Sequence, residues 1–282
     1  MAKHQKFIAL AVLLALSAFT AIGFMLTGQQ EPPPPQFALF AQAAIVMDLN
    51  GQVLFGKEAQ TPMRPSSTTK LLAAAVILDE ISQNRACFDD LVTISQNAVL
   101  VPASQAGFAA GDVVSVEHLI MAAMLPSGSE ATVALGEHFF GSDEKFAAAM
   151  NNFAQSIGMY NTYFTNSVGL DLPGHPDHYT TAYDLAILAR FMWQNQPIIF
   201  DFTSRLSYVI DKGDGEFLYM QNTNDMLHTE GVTGLKTGSG PIFGANLVFT
   251  YDGQNRLIFV VMGSPDAFLR RTDSHALLEG FR

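Results

Sequence analysis

Apolar residues recur along this chain with two different periods, and the switches between them divide it. Ala43–Asp48 and Gln52–Phe55 are short apolar blocks on either side of Asn50-Gly51, a dipeptide that favours a tight hairpin turn, so two paired strands are predicted. From Ser66 to about Gln83 the spacing becomes helical, with Leu71, Leu72, Ala75, Val76 and Leu78 on a buried face. Helical periodicity continues over Val116–Leu125, Glu130–Phe140, Asp143–Gly158 and Ala182–Gln194. Ser142 is placed to cap the third of these, and Thr181 with Asp184 three residues later resembles a capping box for the fourth. Strands return at Leu206–Ile210, Phe217–Met220, Phe243–Tyr251 and Arg256–Gly263, the last two meeting at Asp252-Gly253. A closing helix runs from about Pro265 to the end. Strands at both ends of a helical middle predict an α/β (α+β) fold, an antiparallel sheet lobe carrying an inserted α-helical lobe over about residues 84–200. A cleft between two such lobes is the natural place for a site.

The N-terminus follows neither pattern. Lys3 and Lys6 precede an uncharged apolar run from Phe7 to Thr27, about the length a helix needs to cross a bilayer. Residues 1–28 therefore read as a signal peptide or an N-terminal membrane anchor, with the rest of the chain outside by the positive-inside rule. Ala21-Ile22-Gly23 offers a small-x-small cleavage site; Ala41-Gln42-Ala43 offers another but falls in the first strand. Residues 29–38, with four consecutive prolines from Pro32 to Pro35, read as an extended spacer. The folded part is then 39–282.

Composition narrows the classes. With 49% hydrophobic and 15% charged residues, the 282-residue chain is not disordered. Its net charge of −11 argues against nucleic acid as a partner. Cys87 is the single cysteine, which excludes an intramolecular disulfide and a cysteine zinc cluster.

Three short motifs carry candidate chemistry. Ser67-Thr68-Thr69-Lys70 puts a serine and a lysine one turn apart on a helix face. A serine hydroxyl needs a base, and a lysine serves if burial leaves it partly neutral. Pro65 favours a helix start close by, so Ser67 sits near the positive helix end, which favours a developing oxyanion. Ser127-Gly128-Ser129 follows an apolar helix at Pro126, and a hydroxyl in such a loop is able to relay a proton. Lys236-Thr237-Gly238 lies in the glycine-rich stretch from Gly231 to Gly240. Lys and Thr on an edge strand suit a carboxylate, and Gly238 would let a substrate backbone approach as an added strand. Singly, each motif fits a capped helix start, a turn or an exposed strand.

In this order the three resemble the signature of the penicillin-binding proteins and class A β-lactamases. The sequence resembles the low-molecular-mass penicillin-binding proteins of the D-alanyl-D-alanine carboxypeptidase family, peptidase family S11, from about Ala41 to Arg282. Ile45-Val46-Met47-Asp48, Phe164-Thr165-Asn166, Tyr179–Asp184, Gln221-Asn222-Thr223-Asn224 and Asn246-Leu247-Val248 follow the family pattern as well. The resemblance implies a β-lactamase-like fold and a serine-type D,D-carboxypeptidase acting on peptidoglycan stem peptides, acylated by β-lactams and needing no cofactor or metal. It implies Ser67 as nucleophile, Lys70 as base and Ser127 as proton relay. Ser129, Lys236, Thr237, Gly238 and Ser239 are the implied substrate contacts, with the Ser67 and Ser239 N–H groups as oxyanion hole. It places the protein outside the cytoplasmic membrane.

Two features depart from the family. Ser129 stands where an asparagine is usual, and a hydroxyl offers less than an amide. The chain ends where the family's catalytic domain ends, without the C-terminal β-domain and amphipathic helix of many relatives, so any tether falls to Phe7–Thr27. A class A lactamase would need a glutamate with Asn four residues on; Glu137, Glu144, Glu216 and Glu230 lack it. A D,D-endopeptidase cutting peptidoglycan crosslinks would use the same residues. A weakly active penicillin-binding protein that mainly binds wall peptides is the reading Ser129 motivates. His175-Pro176-Asp177-His178 has ligand-like spacing, but a proline-rich loop accounts for it.

Overall fold

The sheet is antiparallel throughout, in the order β2-β1-β9-β8-β7, built from the two ends of the chain. The computed structural model describes residues 37–170, 178–213, 215–240 and 244–282. The segment Phe7–Thr27, the proline run, and His175 with Asp177 lie outside the described residues. In chain order come β1 (Ala43–Asp48), β2 (Val53–Lys57), a 3-10 turn (Ser66–Thr68), α1 (Thr69–Ser82), β3 (Leu91–Thr93), α2 (Gln96–Val99) and β4 (Val113–Ser115). Then follow α3 (Val116–Met124), α4 (Ser129–Phe140), α5 (Asp143–Ser156), α6 (Ala182–Asn195) and α7 (Ile199–Thr203). The chain closes with β5 (Ser207–Gly213), β6 (Glu216–Gln221), a 3-10 turn (Asp225–His228), β7 (Val232–Gly240), β8 (Gly244–Asp252), β9 (Arg256–Ser264) and α8 (Ala267–Phe281).

Alternation along the central strands feeds two cores. Ile258, Val260 and Met262 of β9 join Ile45 and Met47 in the core shared with α1 and α6. Leu257, Phe259 and Val261 join Ala44, Val46, Leu247 and Phe249 in a second core with Leu277 and Leu278 of α8. Because both faces are covered, β9 is apolar at every position from Leu257 to Met262. Phe249 and Phe259 sit opposite each other across β8 and β9, stacked at 4.6 Å. The Asp273 carboxylate ties the start of the sheet lobe to α8, accepting from the Phe40 and Ala41 N–H groups at 2.9 and 2.8 Å. Ala41-Gln42-Ala43 is thereby held at the sheet, with Gln42 N–H on the Met262 carbonyl.

Three expectations change. Residues Thr69–Leu78 of α1 are buried on every side, where one apolar face was expected. The stretch Leu71–Leu78 has no polar residue, and a helix apolar all round is a surrounded helix; α1 packs on α3, α4, α5 and α6. The strands β5 and β6 form a separate ribbon with Val209, Phe217 and Tyr219 exposed, outside the five-stranded sheet. The middle of the chain is not wholly helical, since β3 and β4 pair there.

Helix starts follow the sequence closely. Ser142 accepts from the Lys145 N–H at 3.2 Å and caps α5. Thr181 caps α6 from the Asp184 N–H at 3.0 Å, while the Asp184 carboxylate takes the Asn161 N–H and the Thr162 hydroxyl, each at 2.8 Å. That carboxylate pins the loop before α6.

Candidate active site

Pro65 ends the approach to the central helix, and the 3-10 turn Ser66–Thr68 leads directly into α1. Ser66 has φ +49°, a strained left-handed conformation for a non-glycine residue. The turn is held from the sheet: the Asn246 amide of β8 donates to the Arg64 and Pro65 carbonyls, both at 3.0 Å, and accepts from the Gly263 N–H at 2.8 Å. Ser67 emerges half-buried from this turn.

One helical turn on, Lys70 is fully buried, with Nζ 3.0 Å from Ser67 Oγ and 3.3 Å from Ser127 Oγ. Burial lowers this lysine to about 7, with the negative charge of Glu130 acting in the opposite direction. A substantial fraction of Lys70 is thus neutral near pH 7, the condition for a lysine base. Ser127 lies in the short connection between α3 and α4 with φ +67°, the second strained non-glycine residue at the site. Ser67, Lys70 and Ser127 are brought together from two separate helix starts.

Ser129 is the first residue of α4, and its N–H donates to the Ser104 carbonyl at 2.7 Å. Its hydroxyl is enclosed, without a hydrogen-bond partner among the described residues, where substrate contact was expected. The third motif lies on β7, at the sheet edge as expected. Thr237 Oγ1 is 2.6 Å from Thr223 Oγ1, and Thr223 also donates to the Leu125 carbonyl at 3.3 Å. Thr223 thereby links β7 to the end of the helix before Ser127. Lys236 is buried and not on an open edge; Nζ donates to the Thr237 carbonyl at 3.1 Å. Burial first, then the Lys70 and Arg270 charges, hold its ammonium well below the ordinary lysine range. Ser239 is exposed further along the strand.

Gly238 serves a different neighbour from the one expected. A Cβ there would lie 2.8 Å from the Pro65 carbonyl oxygen and 3.1 Å from the Thr68 nitrogen. The close approach that glycine allows is made by the protein's own serine-bearing turn.

His178 is the described member of the His175–His178 cluster. It is buried and stacks on Phe164 at 4.9 Å. Its Nδ1 accepts from the Thr165 N–H at 3.1 Å, which leaves the proton on Nε2, 3.2 Å from Thr69 Oγ1. Both nitrogens are thus engaged, and the ring pins the 165–170 loop to α1 beside Lys70. Burial, with the Arg64 cation, lowers the imidazole from 6.5 to about 4. The unfolded chain takes up this proton first. Stability from neutral His178 is therefore complete above about 6.5 and drains as the pH falls toward 4, by on the order of 3 kcal/mol. Denaturant midpoints at pH 7 and pH 5 check this: His178→Gln should lose less on acidification than the wild type, and equal losses would place the acid sensitivity elsewhere.

Asn246, Thr223 and Glu130 are the site residues to which sequence reasoning gave no role. Asn246 and Thr223 fall within stretches that follow the family pattern, but only the fold shows what they hold. Glu130 reads in the sequence as an ordinary acid in a helix first turn.

Comparison with known proteins bears on this geometry. The family model described as D-alanyl-D-alanine carboxypeptidase, Peptidase S11, matches residues 27–266. The chain is 34% identical over 258 residues to the D-alanyl-D-alanine carboxypeptidase DacD of Escherichia coli strain K12, covering 88% of this chain and 64% of that protein. It thus spans just under two thirds of the length of that relative. Its fold is similar to the crystal structure of the D-alanyl-D-alanine carboxypeptidase DacD from Francisella tularensis, with TM-score 0.83 and 27% identity over 92% of this chain and 74% of that one. It is similar, too, to penicillin-binding protein D2 from Listeria monocytogenes in its cefotaxime-bound form, with TM-score 0.79 and 29% identity over 88% of this chain and 100% of that one.

Proposed function

This chain belongs to the D-alanyl-D-alanine carboxypeptidase family, and from that membership we propose that it removes the terminal D-Ala of peptidoglycan pentapeptides through an acyl-enzyme on Ser67. The observation that carries the reading is the buried Lys70 amine between two serine hydroxyls, at 3.0 and 3.3 Å.

In this reading Ser67 Oγ attacks the carbonyl between the two D-alanines while neutral Lys70 takes its proton. The Ser67 and Ser239 N–H groups hold the oxyanion of the tetrahedral intermediate. Collapse breaks the C–N bond, and Ser127 passes the lysine's proton to the departing D-Ala nitrogen. A water then cleaves the Ser67 ester, giving up a proton along the same Ser127–Lys70 path, and the tetrapeptide leaves. Thr237 meets the terminal carboxylate, with the Lys236 amine behind it. A β-lactam, whose carbonyl mimics the scissile amide, acylates the same serine; the cefotaxime-bound Listeria relative supports this.

Residues 1–28 act as a signal peptide or anchor and the proline-rich stretch after them as a spacer to the catalytic domain, at the outer face of the cytoplasmic membrane; the folded part begins by Phe37 and not at 39, because Phe37 packs on Phe55 and Phe281. No helix among the described residues is long and apolar enough to cross a membrane. N-terminal sequencing of the mature protein tests cleavage near Gly23.

Mass spectrometry of products from a pentapeptide and from a crosslinked dimer tests the substrate. Loss of one D-Ala from the pentapeptide is expected; cleavage of the dimer alone would assign the endopeptidase reaction instead.

The partnerless Ser129 hydroxyl motivates a further expectation. Ser129→Asn, which supplies both an acceptor and a donor, should raise pentapeptide kcat/KM about tenfold. A fall would show that the pocket has closed around the smaller hydroxyl, as overpacking does.

A further inference from the structure

The residue directly after the second motif holds a charge that the scheme above leaves idle. Glu130, the second residue of α4, is fully buried. Its Oε1 accepts from three successive backbone N–H groups, Ala106 at 2.6 Å, Gly107 at 2.8 Å and Phe108 at 3.3 Å. Successive N–H groups converging on one oxygen form a nest, the arrangement a chain uses to hold an anion. The second oxygen, Oε2, is buried without a hydrogen-bond partner among the described residues. A buried carboxylate with one oxygen unsatisfied is costly unless an opposite charge faces it. The Glu130 charge also acts on Lys70, opposing the larger effect of burial on that amine.

The loop that Glu130 gathers lies on the catalytic turn. The Ser104 carbonyl takes the Ser129 N–H at 2.7 Å. Ala106 is packed so closely on Gly128 that a Cβ there would lie 2.8 Å from the Ala106 Cβ. One side chain therefore gathers the loop that packs on the catalytic turn.

We propose that Glu130 is a positioning residue of the peptidase site: its carboxylate seats the 104–108 loop on the Ser127–Ser129 turn, whose Ser127 hydroxyl meets the Lys70 amine at 3.3 Å. The proposal rests on the reading of Lys70 as the base. The charge raises the pH at which the lysine becomes free to accept a proton, against the larger lowering by burial, and the loop fixes where Ser127 stands. Removing the negative charge makes Lys70 easier to deprotonate, so a site without it works at lower pH. Shortening the side chain keeps the charge but releases the loop.

Two variants of the full chain separate these effects. Glu130→Gln keeps the reach and an acceptor oxygen but loses the charge; Glu130→Asp keeps the charge and loses the reach. The rate of covalent labelling by a fluorescent penicillin is followed against pH, and amide hydrogen exchange is read at Ala106, Gly107 and Phe108. In Glu130→Gln the rising limb of the labelling profile should move to lower pH. In Glu130→Asp the limb should stay in place while the three amides exchange at least about tenfold faster, the loss expected for bonds to a charged acceptor. A Gln profile that superimposes on the wild type overturns the charge role, and an Asp variant with wild-type exchange overturns the loop role. If instead the wild-type rate shows no rise with pH near 7, the reading of Lys70 fails and not that of Glu130 alone.

Discussion

Ser67→Ala is expected to abolish covalent labelling by penicillin and to lower pentapeptide turnover by about 10⁴-fold or more. Removing the nucleophile of a serine hydrolase leaves only binding and oxyanion contacts, and losses of that size follow. Ser67 is the hydroxyl that combines partial exposure with a 3.0 Å approach to the lysine amine. Ser127, the other hydroxyl on that amine, is 5% exposed and further away, at 3.3 Å. The fold should survive the change. The turn at Ser66–Thr68 is held by backbone groups and by Asn246, and the Thr68 hydroxyl donates to the Pro65 carbonyl at 2.7 Å. Undiminished labelling of a folded Ser67→Ala protein would place the nucleophile elsewhere.

Lys70→Met should cost about 10³-fold or more in acylation while leaving the protein as stable as the wild type or more so. The two expectations have one cause. Burial lowers Lys70 from 10.5 to about 7, so the folded state binds this proton more weakly than the unfolded chain does. Stability linked to Lys70 is complete only above about 10.5 and falls as the pH drops toward 7, a penalty of several kcal/mol at neutral pH. Methionine has similar length and no charge, so it removes the penalty together with the base. Thermal unfolding at pH 7 and pH 9 reads the first effect: the wild type should gain stability with alkalinity and the Met variant should gain less. Labelling rates read the second. A Met variant that acylates normally would mean another group takes the serine proton.

Much of this molecule is legible from residue pattern. Helix starts at Ser142 and Thr181 fall on their capping residues because a side-chain cap is a local interaction, complete within one turn. Hairpins at Asn50-Gly51 and Asp252-Gly253 are local for the same reason, and β1 and β9 follow from their apolar runs. The third motif falls on the edge strand expected of it, while Ser67 sits in the 3-10 turn that leads into α1 and Ser129 already opens α4. What stays hidden depends on partners distant in sequence. Gly238 is read as making room for a ligand, whereas the segment it admits is Pro65–Thr68, more than 160 residues away. Lys236 alternates like a surface lysine, and only the fold, with α7 and the 3-10 turn Ser66–Thr68 packed against β7, shows that it is buried. Glu130 looks like any first-turn acid until the 104–108 loop folds over it. Ser129 shows in the sequence as a departure, but its enclosure is visible only in three dimensions.

The most direct test is to trap the intermediate. The wild-type protein is mixed with a D-Ala–D-Ala-terminated pentapeptide, quenched with acid at short times, and its intact mass and proteolytic peptides are measured alongside free D-Ala. The account predicts release of D-Ala, a single ester adduct of the remaining tetrapeptide, and its location on Ser67. D-Ala release with no adduct on Ser67 at any time, or an adduct on a different residue, would contradict it.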